Sequence, residues 1–389
     1  MKGMSEWFEG VRVLDLTRLL PGPFASLLLA DMGAEVIKIE APGRGDYARF
    51  YPPMVGESSA FFQSLNRNKR SMVLNLKADE GVALLGRLVE EADVLLESFR
   101  PGVLERLGMG PEAMWEHNED LIIASVTGYG QVGSKRDEAG HDANYLALSG
   151  LLERNGRAGE GPHVPGFQVA DLAGGALYCA LGVTSALWQR ERGGGGVHLD
   201  ISMTEGALSL LAPAIARHAA GQRDERGEGM LSGGLPSYRV YATKDDRHLA
   251  VAALEPKFWE PLVQALEAPE LSGRNMEGGE KGREVQQRLE EIFRSESLEI
   301  WMERLGPLDL CVEPVLNLDE VMEQELHRSR EAFFELNGVA QVRTPLTERG
   351  REHRPAPGFG EHTEQVLEEL LEMDEESIEA LRKNQVIGS

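Results

Sequence analysis

Two residues in unlike settings carry the chemistry open to this chain. His141 lies in the polar, turn-rich stretch Gly140-His141-Asp142. Asp171 opens a run of small and apolar residues, Val169-Ala170-Asp171-Leu172-Ala173-Gly174-Gly175, where a helix N-terminus is expected. An imidazole titrates near neutrality, and beside a carboxylate at a helix start it can move a proton at a carbon next to a carbonyl. Each residue also has a plainer reading. An aspartate before an apolar helix is most often an N-cap, and a lone histidine among glycines is usually a turn residue. Glu255, before Pro256, reads equally well as a strand end followed by a helix with proline at its first position.

The elements that must position these residues follow from the hydrophobic pattern. Residues 11–16 read as a buried strand, Pro21-Gly22-Pro23 as a turn, 24–32 as a helix and 35–40 as a second strand. The unit recurs, with strands at 71–76, 93–97 and 121–126 and a helix at 81–91. Such alternation predicts a parallel sheet covered by helices on both faces. The longest helical segment is 172–192, followed by a strand at 197–202 and a helix at 205–218. The glycine-rich stretch 221–234 reads as a linker. Strands near 238–242 and 248–253 come next, then helices at 256–266, 284–294 and 297–305, and an acidic amphipathic helix at 363–371.

Composition narrows the function classes. A chain of 389 residues, 42% hydrophobic and 27% charged, has room for a large domain and a smaller one. Its net charge of −24 argues against general nucleic-acid binding, which needs a basic face. No apolar stretch reads as long enough to span a bilayer, and neither a secretion signal nor a Ser-Lys-Leu ending is expected. Cys179 and Cys311 lack metal or redox spacing, so no metal and a reduced, cytoplasmic setting are expected.

Many ordered motifs together resemble the family III CoA-transferase superfamily (CaiB/BaiF type), and within it the alpha-methylacyl-CoA racemase branch. They include Gly10-Val11-Arg12-Val13-Leu14-Asp15-Leu16, Pro21-Gly22-Pro23, Leu65-Asn66-Arg67-Asn68-Lys69-Arg70-Ser71 and Phe99-Arg100-Pro101-Gly102. Thr127-Gly128-Tyr129-Gly130, Cys311-Val312-Glu313-Pro314-Val315 and Gly360-Glu361-His362-Thr363 extend the match over nearly the whole chain. The racemase branch is carried by Gly140-His141-Asp142-Ala143-Asn144-Tyr145, because the transferases usually carry Tyr or Phe where His141 stands.

The resemblance implies a Rossmann-like α/β domain over 1–220, a linker over 221–236, a smaller α+β domain over 237–330, and a C-terminal segment, 331–389, returning to the first. It also implies an interlocked, ring-like homodimer. Asp171 matches the carboxylate that accepts the acyl group in transferases and acts as an acid/base in racemases. His141 is then the second acid/base, and Glu255 a third racemase residue that pairs with it, a role open to Asp142 as well. Two groups flank the carbon because a single base would usually return the proton to the same face. Backbone N–H groups at the helix start near Asp171 would stabilise the enolate oxygen if aimed at it.

The substrate is an acyl-CoA, so CoA is no separate cofactor, and the phosphates need local positive charge. Arg67, Lys69, Arg70 and Arg100 are candidates, while Arg106 and Tyr145 match CoA-contacting positions. The chain departs from its relatives at Gly194-Gly195-Gly196, where Gly-Lys-Gly is common. Two other readings stand beside the racemase: a CoA transferase using Asp171 as nucleophile, and an acyl-CoA-binding scaffold.

Overall fold

The computed structural model describes residues 3–388. It forms two compact units: Met1–Ser149 with Gly166–Leu211 and Glu325–Ser389, and Gly150–Pro165 with Ala212–Gln324. These divisions differ from the expected 1–220, 221–236, 237–330 and 331–389. The glycine-rich stretch lies inside the second unit, where the Arg226 guanidinium donates to the Glu153 and Glu160 carbonyls. Glycine there marks tight turns rather than a boundary.

The first unit is built on a six-stranded sheet: β1 (Arg12–Asp15), β2 (Glu35–Glu40), β3 (Arg70–Val73), β4 (Val94–Glu97), β5 (Ile122–Thr127) and β6 (Val197–Ser202). Every pairing is parallel, and the spatial order is β3-β2-β1-β4-β5-β6. This is the doubly wound Rossmann order, in which the chain reverses direction across the sheet between β1 and β4. Val13, Leu14, Ile37, Met72, Leu95 and Ile123 are sealed from water, as expected where helices cover both faces.

The helices that matter for the site are α1 (Pro21–Asp31), α2 (Asp79–Glu90), α3 (Asp142–Ser149), α4 (Leu177–Arg190) and α5 (Met203–Ser209). In α2, Leu84, Leu85, Leu88 and Val89 form the buried stripe. Val366, Leu367 and Ile378, from helices Thr363–Leu371 and Glu375–Lys383, join the same core, so the C-terminal segment belongs to this unit.

A wider π-helical turn, Ala170–Ala176, runs into α4, giving one helix of 21 residues. By length and composition it is long enough to cross a membrane, contrary to the sequence reading, but half of it is buried like the core helix of a globular fold. It crosses α5 so closely that a Cβ on Gly206 would lie 2.0 Å from the Gly174 carbonyl oxygen. Only glycine fits there. The helix expected over 205–218 breaks before Ala212–Ala219, where Pro213 takes the second position and its missing N–H is harmless.

The second unit carries a three-stranded antiparallel sheet, β7 (Arg239–Ala242), β8 (His248–Val251) and β9 (Val312–Pro314), in the order β9-β8-β7. Helices Pro256–Ala265, Gly279–Phe293 and Leu298–Leu305 supply Trp259, Leu262, Leu289, Phe293 and Trp301 to its core. Both indole N–H groups find carbonyls, those of Leu271 and Phe293, at 2.9 and 2.8 Å.

Three cations expected to meet CoA are committed inside the first unit. Arg67 pairs bidentately with Asp31 at 2.6 and 3.1 Å, with both side chains buried. Lys69 meets Asp15 at 3.3 Å and Arg70 meets Glu35 at 2.7 Å. Their proximity in sequence reflects a buried ionic frame rather than a surface for phosphate. Removing one partner of such a pair strands the other charge. Asp31→Ala is therefore expected to cost about 3–5 kcal/mol in chemical denaturation. Glu270→Ala, which breaks the exposed pair with Arg288, should leave the unfolding midpoint unchanged.

Candidate active site

The loops after β1, β4 and β5 enclose a cleft of about 300 Å³ at the carboxyl edge of the sheet. This is the topological switch point, where loops diverge and ligands bind in open α/β sheets. Arg18, Leu19 and Pro21 come from the β1 loop, Ser98 to Pro101 from the β4 loop, and Thr127 to Tyr129 from the end of β5. Arg136, Glu138, Gly140, His141, Tyr145, Asp171 and Met203 are among the residues that line the rest of the wall. His141 and Asp171, far apart in sequence, thus line one cleft.

His141 sits at the entry to α3. Its N–H donates to the Asn144 side-chain oxygen at 3.0 Å, and its carbonyl accepts from the Asn144 and Tyr145 N–H groups at 2.8 and 3.3 Å. A side chain three residues on thus caps the entry and fixes the histidine backbone, while the residue itself stays exposed. The Tyr145 hydroxyl donates to the Gly140 carbonyl, and its ring packs edge-on against Tyr129 at 5.3 Å. A Cβ on Gly140 would lie 2.6 Å from the Tyr145 ring and one on Gly128 2.4 Å from it, so both loop glycines are required. Burial raises the Tyr145 hydroxyl far above the usual phenol range, keeping it a neutral donor.

Asp171 lies in the first turn of the π-helical segment, but Asp142 performs the capping. The Asp142 carboxylate accepts the Asp171 N–H at 3.0 Å and also bonds the Ala170 N–H. The Leu172 N–H donates to the Gln168 carbonyl. These three donors are occupied, so the expected oxyanion role of this helix start is withdrawn. Asp142 is turned to the helix start rather than to His141. Burial, reinforced by the Asp142 charge, pushes the Asp171 carboxyl up to about 7. Such a group exchanges protons at neutral pH, as an acid/base requires.

Arg100 lines the cleft, and Arg106 lies beside it on the short helix Val103–Arg106. Arg18 and Arg136 also line it, and the sequence reading missed both; Arg136 stands in the polar turn just before Gly140-His141, which was the available signal. The Arg106 and Arg136 guanidinium groups converge on Gly102, each 3.2 Å from where its Cβ would be. A second cleft of about 450 Å³ shares Arg18 and Phe99 with the first and is lined by Ile39, Tyr47, Leu76 and Lys77. Arg67, Lys69 and Arg70 line neither. Glu255 belongs to the second unit, exposed at the start of helix Pro256–Ala265, with proline at its first position. Among the described residues no cluster of His, Cys, Asp or Glu could hold a metal ion.

The raised Asp171 carboxyl has a stability consequence. Between the ordinary 3.8 and about 7, the folded chain keeps a proton that the unfolded chain has released. Folding therefore loses stability as pH rises through that window, because an ionised group must stay buried. Asp171→Asn removes this cost. At pH 8 it should raise the thermal midpoint by roughly 2–4 °C, and near pH 3 it should have no effect. A scan of melting temperature against pH for the two proteins measures this.

Similarity to known proteins follows the same residues. The family model described as CoA-transferase family III matches residues 8–363. Human alpha-methylacyl-CoA racemase is 38% identical over 388 residues, covering 98% of this chain and 97% of that protein. Human succinyl-CoA:glutarate CoA-transferase is 33% identical over 384 residues, covering 95% and 87%. Among solved structures, a CaiB/BaiF family protein from Brucella suis matches with a TM-score of 0.82 at 28% identity, over 93% of this chain and 99% of that one. From its six-stranded sheet to the loops that frame His141 and Asp171, the chain belongs to CoA-transferase family III, a family of enzymes.

Proposed function

We propose that this protein is a racemase that interconverts (2R)- and (2S)-2-methylacyl-CoA thioesters by two-base proton transfer. The observation that carries the reading is His141 and Asp171 lining one cleft, with the Asp171 carboxyl at about 7. One group takes the C2 proton as base; the other delivers a proton to the opposite face as acid. Between the two steps the substrate is a thioester enolate, with negative charge on its oxygen. The chemistry is proton transfer alone and calls for no metal or redox cofactor.

The two clefts suit the two ends of an acyl-CoA. Tyr47, Phe99 and Lys77 in the second cleft offer rings and a cation to an adenosine. Arg100, Arg106 and Arg136 supply positive charge for phosphates. Leu19, Pro21 and Met203 give the first cleft an apolar side for a branched alkyl group. Pairing of Glu255 with His141 belongs to this proposal, as do an interlocked homodimer and a cytoplasmic setting. The open apolar face Leu177, Tyr178, Leu181 and Trp188 supports a second copy.

The transferases among the relatives keep a second reading alive, with Asp171 attacking the thioester. The His141 imidazole on the same cleft, a second acid/base group that attack by Asp171 does not require, favours the racemase. Deuterium uptake at C2 of a 2-methylacyl-CoA in heavy water tests this. Wild type should exchange, and His141→Ala should lose about 10²–10⁴-fold. No exchange at any chain length sinks the racemase; CoA transfer to a free acid that survives His141→Ala establishes the transferase.

A further inference from the structure

Beneath the β4 loop lies a polar chain with no part in the proton transfer above. Glu97, the last residue of β4, is 3% exposed, and its carboxylate accepts the Phe99 N–H at 2.7 Å. Across the sheet, Glu97 is level with Ser125 of β5, which in turn neighbours Asp200 of β6; His198 projects two residues earlier on the same face. Ser125 bonds the Glu97 carboxyl, and its hydroxyl lies 2.9 Å from His198 Nε2. The groups facing Glu97 are therefore Ser125, His198 and Asp200 from the neighbouring strands, Glu105 from the helix above, and Arg100 from the loop.

We propose that Glu97, Ser125 and His198 form a hydrogen-bonded positioning chain for the Phe99–Arg100 wall, and that both side-chain bonds reverse when Glu97 takes up a proton. A serine hydroxyl has one hydrogen, so it can donate toward only one neighbour. With Glu97 ionised, Ser125 donates to the carboxylate and must accept from His198, which then carries its proton on Nε2. With Glu97 protonated, the carboxyl donates to Ser125, Ser125 donates to Nε2, and the imidazole proton moves to Nδ1. The net uptake is one proton, taken from solvent by Glu97. The His198 tautomer changes by exchange of its ring proton with solvent.

Burial, with Glu105 and Asp200 contributing, brings the Glu97 carboxyl up to about 7, so the reversal falls in the neutral range. Its effect reaches the substrate walls through Phe99, which lines both clefts and lies 5.8 Å from the Arg18 guanidinium. A carboxylate grips the Phe99 N–H more strongly than a neutral carboxyl. The wall is therefore held firmly above about pH 7 and loosens below it.

The test uses full-length protein labelled with ¹⁵N-histidine, with His198→Asn to assign the signal. From about pH 8 to about pH 6, His198 should change from the Nε2–H to the Nδ1–H pattern. In Glu97→Gln the pattern should be the same at both ends of the range. Ser125→Ala, which cuts the link without touching the wall, should abolish the reversal as well. A His198 that keeps Nε2–H throughout, or a Glu97→Gln protein that reverses at the wild-type midpoint, overturns the inference.

A second readout is affinity for 3′-dephospho-CoA, whose pyrophosphate does not titrate in this range. At pH 8, Glu97→Gln should bind it about fivefold more weakly than wild type. Only this readout rests on the CoA reading of the clefts. A tautomer reversal in a protein that fails to bind the probe leaves the chain standing and removes that reading; unchanged affinity in Glu97→Gln removes the positioning role.

Discussion

A set of charges sealed beneath the carboxyl edge of the sheet holds the first wall of the active-site cleft. Asp15, Lys38 and Asp46 are fully buried and Lys69 nearly so. Lys38 meets Asp46 at 2.9 Å and donates to the Thr17 carbonyl at 2.9 Å. Burial alone would lower the Lys38 amine, but Asp15 and Asp46 carry it above its ordinary range. Asp15 accepts the Thr17 N–H at 2.9 Å, and Asp46 accepts the Leu19 N–H at 3.1 Å. Leu19 is thereby kept at a φ of 68°, a left-handed conformation that a branched side chain avoids. Buried ion pairs add little stability compared with apolar packing, so their value here is directional. They leave the segment from Thr17 to Leu19 no relaxed alternative.

Carboxylates, buried ones and the exposed Asp200, hold other loops of this sheet edge in the same way. Glu97 anchors the β4 loop, Asp200 accepts the Gln131 N–H at 3.0 Å with both oxygens, and Asp142 caps the turn that carries Asp171. The pair Asp142 and Asp171 shows how position divides labour between identical side chains. Burial raises the Asp142 carboxyl above its ordinary value too, but its oxygens are spent on backbone N–H groups, which pull it back toward the ionised form. Asp171 has burial and a neighbouring negative charge, which favour the proton. One aspartate holds the backbone while the other is left free to exchange a proton.

This division bears on how one family hosts two chemistries. The relatives include both a racemase and a transferase over nearly the same length, so the sheet and its cleft do not choose between them. Under the function proposed above, the choice lies in what shares the cleft with Asp171: an imidazole would make it half of an acid/base pair, and Tyr or Phe at that position would leave it a lone carboxylate.

The parallel sheet was legible because short strand-like runs alternate with helical ones along the chain, and residues 35–40 and 197–202 match the observed strands end to end. His141 and Asp171 were legible through their motifs. Arg67, Lys69 and Arg70 were misread because a run of cations looks the same whether it meets phosphate or buried carboxylates. Asp31 and Glu35, the partners that decide the matter, sit on other elements. Arg18 and the chain from Glu97 to His198 left no local signal, since each owes its place to strand register or loop closure; Arg136 had one, its place in the polar turn just before Gly140-His141. Sequence by itself therefore determined the fold class, the family and the acid/base candidates, all set by local pattern and residue type. Tertiary structure alone decided which charges are spent inside and which face the cleft, because pairing and burial depend on neighbours that only folding brings together.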